Sequence, residues 1–227
     1  MFFKHIMTDE VEDSFQAFLV DGAEFTDIEE YPILTEDMVP SVLPEKIMHF
    51  SKAIAYQGDL SKTVIYFFSP ESFERVRRNP QLYVDFFKRT AGIMGFDYSV
   101  HTDMPVIKQK SQMNDNLSLS FYFANKGIPL YPAPRAGSDD TVEEYLKAFP
   151  KHTFLVLGTH GFVQHRWQKR EWCYWIDLLI NKLEPKGFIV VGHLTGEIFE
   201  QFKDKVPFYF YDSFIEERMK EVKKNGN

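Results

Sequence analysis

The sequence predicts an α/β protein: six βα units that form a partial or distorted (β/α) barrel, with a helical, acidic N-terminal segment packed against it. Three observations carry this reading. First, short apolar runs recur at 63–68, 92–100, 128–131, 153–157, 187–191 and 208–211. They are β-branched, aromatic and apolar on both faces, as strands covered on both sides are. Second, stretches with helix-capping signals and helical spacing separate them. Third, polar or small residues follow nearly every strand: Ser69, Asp97 to Asp103, Arg135, Thr159 with His160, His193, and Asp212 with Ser213. An open, doubly wound sheet satisfies the same pattern. In both architectures ligands bind at the carboxyl ends of the strands.

The elements follow in order. Residues 8–20 predict a helix with Val11, Phe15, Phe18 and Leu19 on one face, stopped by Gly22. Residues 21–40 carry Pro32 and Pro40 and read as an irregular crossing segment. Pro44-Glu45 predicts a second helix, with Ile47, Phe50, Ser51 and Ile54 on one side and an end near Gly58; proline suits a first helical position because its missing N–H has no partner there anyway. Ser69-Pro70-Glu71 and Asn79-Pro80 open two helices after the first strand. Residues 106–125 are ambiguous. Leu117, Leu119, Phe121 and Phe123 alternate as in a strand, whereas Leu117, Phe121 and Ala124 fit a helix. Asn125-Lys126-Gly127 is a helix stop, so a helix is predicted. Ser138 to Asp140 start the next helix, and 168–183 the clearest one, with Trp172, Trp175, Ile176, Leu179 and Leu183 in a stripe. Thr195 caps a short helix, and Ser213 with Glu216 forms a capping box for the last.

Composition bounds the possibilities. The chain has 227 residues, 44% of them hydrophobic and 16% aromatic, enough for a large core. The division predicted is residues 1–60 as the acidic segment and 61–227 as the βα-repeat domain. No apolar run approaches the ~18 residues a membrane helix needs, and Met-Phe-Phe-Lys-His does not open a signal peptide. The single cysteine, Cys173, excludes an internal disulfide and a cysteine-based metal cluster. A cytoplasmic protein with no membrane partner is expected. Net charge is -7 and unevenly spread: residues 1–60 hold 13 Asp/Glu against 3 Lys/Arg, residues 61–227 hold 20 against 23. Such an asymmetry serves solubility and steering, and it also offers a surface to a basic partner.

Several motifs together carry a resemblance. Phe73-Glu-Arg-Val76 and Asn79-Pro80 follow the first strand; Asp97-Tyr-Ser99 leads to Thr102-Asp-Met-Pro105. Gly127-Ile128 precedes a proline-bearing strand and Arg135; Gly158-Thr-His-Gly161 and Leu183-Glu-Pro-Lys-Gly187 complete the set. Residues from about 60 to 213 resemble an uncharacterised domain-of-unknown-function family of bacteria and phages, with Thr-Asp-Met-Pro as its most specific piece. This chain has Asn125 and Ala136 where similar sequences tend to carry Gln and Trp. The resemblance implies a phage or mobile-element protein and brings no known reaction.

The candidate catalytic residues are Asp97, Asp103, His160 and His193; the candidate substrate-binding residues are Ser99, Arg135 and Thr159. Two carboxylates beyond one strand suit a divalent metal or a hydrolytic reaction, and the competing reading is loop-tying through backbone N–H groups. His101-Thr-Asp103 has metal-hydrolase spacing, but zinc takes three or four ligands and no second histidine pair adjoins it. His160 and His193 follow neighbouring strands, where a base or a ligand belongs, as does a hydrogen-bonded scaffold histidine. Arg135 suits a phosphate or carboxylate, against a salt bridge to Asp139 or Asp140. Gly158-Thr-His-Gly161 lacks nucleotide-loop spacing. His165, Arg166, Lys169 and Arg170 beside Trp167 form a basic, aromatic cluster that suits nucleic acid or an ordinary helix start. Cys173 lies in an apolar stripe and reads as core. Three functions follow: a phosphate- or metal-directed strand-end site, a host-protein-binding module using the acidic surface, and a nucleic-acid binder, the last disfavoured by a pI of 5.5.

Overall fold

A computed structural model describes residues 13, 16–67, 70–96, 100–135, 137–158, 166–192 and 197–225. Lys46–His49 (β1), Thr63–Tyr66 (β2), Gly92–Met94 (β3) and Leu130–Tyr131 (β4) pair in chain order as one parallel sheet. Phe154–Gly158 (β5), Gly187–Val191 (β6) and Phe208–Tyr211 (β7) form a second parallel sheet. Register puts Ile47 beside Val64, Ile65 beside Ile93 and Met94 beside Tyr131 in the first sheet, and Val156 beside Ile189 and Ile189 beside Tyr209 in the second. The helices are Phe50–Ala55 (α1), Pro70–Arg78 (α2), Val84–Phe87 (α3), Val106–Asn125 (α4), Asp139–Leu146 (α5), Arg166–Leu183 (α6), Glu197–Glu200 (α7) and Phe214–Asn225 (α8). No helix among the described residues is long and apolar enough to cross a membrane.

β2 to β6 bury both faces, β1 and β7 only in part, and side-chain alternation divides the core in two. Ile65, Ile93, Leu130, Leu155, Leu157, Phe188 and Val190 point to a large cluster shared with the helices. The alternate residues Val64, Tyr66, Met94, Tyr131, Phe154, Val156, Ile189 and Val191 meet in a second cluster, joined by Ile47, Tyr209 and Tyr211. Every one of the seven strands therefore feeds that second cluster, whichever sheet it belongs to. The sheets also touch through backbone: Val156 N–H donates to the Pro132 carbonyl at 2.7 Å. At β3, Gly92 has φ +142°, and a Cβ there would collide with the Pro129 carbonyl, so only glycine lets β3 and β4 approach this closely.

Six predicted strands are present, with β3 shorter than expected, and β1 is a seventh. The helix predicted from Pro44 is a correction. Residues 46–49 are strand because they pair along their whole length with β2, and the helix is confined to α1. Pro44 does not start that helix; its carbonyl accepts from Tyr211 Oη at 2.8 Å. The described part of the N-terminal segment holds less helix than predicted. Its described part before β1 has two 3₁₀ turns, Ala17–Val20 and Glu36–Met38, and an antiparallel bridge between Phe25 and Pro32; most of the helix predicted at 8–20 lies outside the described residues. The helix predicted after Asn79-Pro80 divides into a 3₁₀ turn, Pro80–Tyr83, and α3.

Candidate functional site

Within each sheet the parallel strands, in chain order, run their carboxyl ends to the same edge. The loop after β3 contains the predicted Asp97, Ser99 and Asp103; the loop after β4 contains Arg135; those after β5 and β6 contain Thr159, His160 and His193. Asp97, Ser99, Thr159, His160 and His193 lie outside the described residues. Asp103 is described, exposed in the turn that enters α4. Arg135 is half-buried, four residues beyond β4, and its backbone N–H points to Tyr145 Oη at 3.5 Å.

Arg135 lines a shallow pocket, partly open to solvent, with Ala133, Pro134, Val156, Leu157, Gly158, Trp172 and Trp175. The walls follow from local sequence. Pro132 to Pro134 cannot continue a ladder, so the chain leaves β4 at once. Gly158 ends β5, and α6 turns its tryptophan stripe toward the strand ends. An arginine in the lining of an aromatic, apolar cleft suits an anion, since a guanidinium presents a planar fork of donors and a low-dielectric wall strengthens the pairing. Its enclosed space is about 10 Å³, room for one water-sized group, so an anion would be met at its open side and not enclosed.

The loops after β3 and β4 are tied together by a residue that the functional reading of the sequence passed over. Gln109, on the first turn of α4, is 1% exposed. Its Nε2 donates to the Met104 carbonyl at 2.8 Å and reaches that of Thr102 at 3.5 Å. Its Oε1 accepts from Ser138 N–H at 2.7 Å, from Ser138 Oγ at 3.2 Å and from Thr141 Oγ1 at 3.5 Å. The signal in the sequence was a polar side chain on the stripe Gln109, Met113, Asn116, Leu117 and Ser120 of α4. Around this clamp, Thr102 Oγ1 contacts Glu171 of α6 at 3.4 Å and Tyr174 Oη donates to Asp139 at 3.0 Å. That bond to Asp139 holds the Tyr174 phenol above its usual pKa.

Among the described residues no three or more His, Cys, Asp or Glu side chains converge as a metal-ligand group. Of the four candidate catalytic residues they supply Asp103 alone, with His101 exposed two residues before it, so the described residues do not by themselves fit a divalent metal. The basic cluster contributes Lys169, half-buried, and Arg170, exposed; His165 and the side chains of Arg166 and Trp167 lie outside the described residues.

Fold and pocket define a parallel α/β domain with an arginine-bearing cleft at its strand ends. The chain belongs to the family DUF4417, a domain of unknown function, whose profile matches residues 24–211 and so takes in all seven strands. No curated protein and no solved structure matches the chain.

Proposed function

We propose that this chain is a cytoplasmic phage or mobile-element protein that takes a phosphate- or metal-bearing ligand at the carboxyl ends of β3 to β6. The observation that carries the reading is Arg135 in the lining of the cleft shared with Trp172 and Trp175. Arg135 holds the anion, with the hydroxyls of Ser99 and Thr159 as further donors. Asp97 and Asp103 hold a cation or activate water, and His160 and His193 serve as base or ligand. The finer fold in this reading is one distorted (β/α) barrel: the shared second cluster and the Val156 to Pro132 hydrogen bond support it. Residues 1–60 act as an acidic segment that joins the 61–227 body through β1.

The test is a titration with inorganic phosphate followed by tryptophan fluorescence, since Trp172 and Trp175 share the cleft with Arg135. Wild type is expected to saturate and Arg135→Met to lose at least about tenfold in affinity, in line with the ~1.5–3 kcal/mol of a hydrogen bond to a charged group. A flat wild-type titration overturns the phosphate reading. Melting temperatures of Asp97→Asn and Asp103→Asn, with and without Mg²⁺, test the metal arm. Removing one of two clustered functional carboxylates should raise the melting temperature and abolish the gain from metal; a fall with no metal effect means the aspartates only tie loops.

One observation favours a second reading, a non-catalytic module that binds a host protein through the acidic N-terminal surface. Ile28 is 74% exposed between Asp27 and Glu29. It is also held in place: its N–H donates to Glu144 Oε1 at 2.9 Å, and Glu29 pairs with Lys110 at 2.7 Å. A partner retained by wild type and released by Ile28→Lys at unchanged melting temperature supports this reading, and retention by both rejects it.

A further inference from the structure

Asp103 and Arg135 sit on different loops, 32 residues apart in sequence. Such a pair makes a site only if something fixes one loop against the other. We propose that Gln109 is the positioning residue of the strand-end site: its buried carboxamide locks the Thr102-Asp-Met-Pro105 loop to the start of α5, and ligand binding at Arg135 depends on that lock. The inference rests on the strand-end reading above and adds a residue and a mechanism to it.

Three features argue for a built device rather than incidental packing. The amide is bifunctional and both ends are used. Nε2 satisfies the Met104 carbonyl after β3, and Oε1 accepts from the Ser138 N–H after β4. No apolar side chain can do both, and no charged one can donate and accept in the same positions. Second, the chain opposite is shaped to the amide. Gly137 lies against it, and a Cβ added there would overlap Gln109 Oε1. Third, the bond from Ser138 N–H replaces a conventional cap: the Ser138 side chain makes no capping bond to α5, while its hydroxyl too turns to Gln109. The N-terminus of α5 is thereby fixed by a side chain from α4, and α4 is itself entered from the Asp103 loop.

The experiment has two readouts on the full chain, each in wild type, Gln109→Met, Gln109→Glu and Gly137→Ala. The first is amide hydrogen exchange at Met104, whose N–H bonds the His101 carbonyl at 3.1 Å, and at Ser138. Gln109→Met should speed both by about tenfold or more. Gln109→Glu keeps the acceptor for Ser138 but loses the donor to Met104, so it should release Met104 alone. Gly137→Ala, approaching from the other side, should reproduce the Met pattern. Unchanged exchange at either amide in Gln109→Met overturns the clamp. The second readout is the phosphate titration by tryptophan fluorescence. Loss of about tenfold or more in Gln109→Met, with the melting transition still cooperative, supports the role. Equal affinity in wild type and Gln109→Met overturns the role of Gln109 while leaving the strand-end reading in place. A flat wild-type titration overturns that reading, and the positioning role with it, even where the exchange data show the loops coupled. Should Gln109→Met fail to fold, Gly137→Ala carries both readouts.

Discussion

His49 shows how one side chain links capping, packing and pH. It ends β1 and begins α1, where its Nδ1 accepts the Ser51 N–H at 3.3 Å. The ring lies 5.4 Å from Tyr66 and 5.3 Å from Phe214, centroid to centroid, and is buried. Burial holds its pKa below the ordinary histidine value. The neutral form is therefore the native one, and a proton on Nδ1 would also set two donors against each other at the cap. The unfolded chain takes up its proton near 6.5, before the folded protein does. The stabilisation is thus complete above pH 6.5 and drains away as pH falls from there toward the lower folded value. Lys52, Glu216 and Glu217 line the same corner, with Lys52 and Glu217 paired at 3.1 Å. The melting temperature is expected to fall between pH 7.5 and 5.5. His49→Asn, a good cap that does not titrate, should flatten that fall. Equal slopes in the two proteins would assign the pH dependence to other groups.

Among elements, α4 was the hardest to read and is the most central. Residues 116–124 are buried without interruption, so the apolar stripe that reports a helix has no polar face to stand against. What remained legible was the stop. Gly127 takes φ +78°, its N–H bonds the Ala124 carbonyl at 2.9 Å, and Ile128 N–H bonds that of Phe123 at 3.2 Å. These are the paired bonds of a Schellman ending, which glycine makes possible. The capping box at α8 was legible for the same reason, since it is local: Ser213 N–H donates to Glu216 at 2.6 Å and Glu216 N–H reaches Ser213 Oγ at 3.5 Å. β1 was not legible. Ile47, Phe50 and Ile54 keep helical spacing, and only pairing with β2 makes 46–49 a strand. In the site, Arg135 was legible from its place after a strand. The clamp was not, because the partners of Gln109 are backbone groups whose positions only the fold determines. Within α4, Phe123 stacks on Phe96 at 5.8 Å and meets Phe87 edge-on at 5.0 Å, while Phe96 stacks on Phe67 at 4.5 Å. Phe96 immediately precedes the loop of Asp97. Phe123→Ala should cost about 3–5 kcal/mol in urea denaturation, whereas Phe123→Leu, a smaller change of volume, should cost markedly less.

At the scale of the whole molecule, the question is whether two sheets make one body. The backbone bond from Val156 to Pro132 joins β5 to the exit of β4, and all seven strands share one apolar cluster. On the far side, Tyr211 Oη reaches Pro44, Phe214 packs on His49, and Glu217 pairs with Lys52. Contacts of β5 with the exit of β4, and of the β7 and α8 segment with the β1 and α1 segment, are what the proposed barrel requires. The tryptophans make the test direct, because all three, Trp167, Trp172 and Trp175, lie in the sequence of α6 and none lies on β1 to β4 or the helices between them. Fluorescence thus reports α6 and the cleft it lines, whereas far-UV circular dichroism reports the whole. If the halves are one cooperative unit, both signals share a single urea midpoint. Ile65→Ala, fully buried on β2 in the other sheet, costs about 2–5 kcal/mol by the usual cavity argument. It should lower the fluorescence midpoint as much as the dichroism midpoint, although no tryptophan lies in the sequence that carries β1 to β4. A dichroism midpoint that moves while fluorescence stays put would separate the sheets into two units. The loops after β4 and β5 would then have no common frame, and a cleft shared by Arg135 and Gly158 would lose the rigidity that binding a small anion demands.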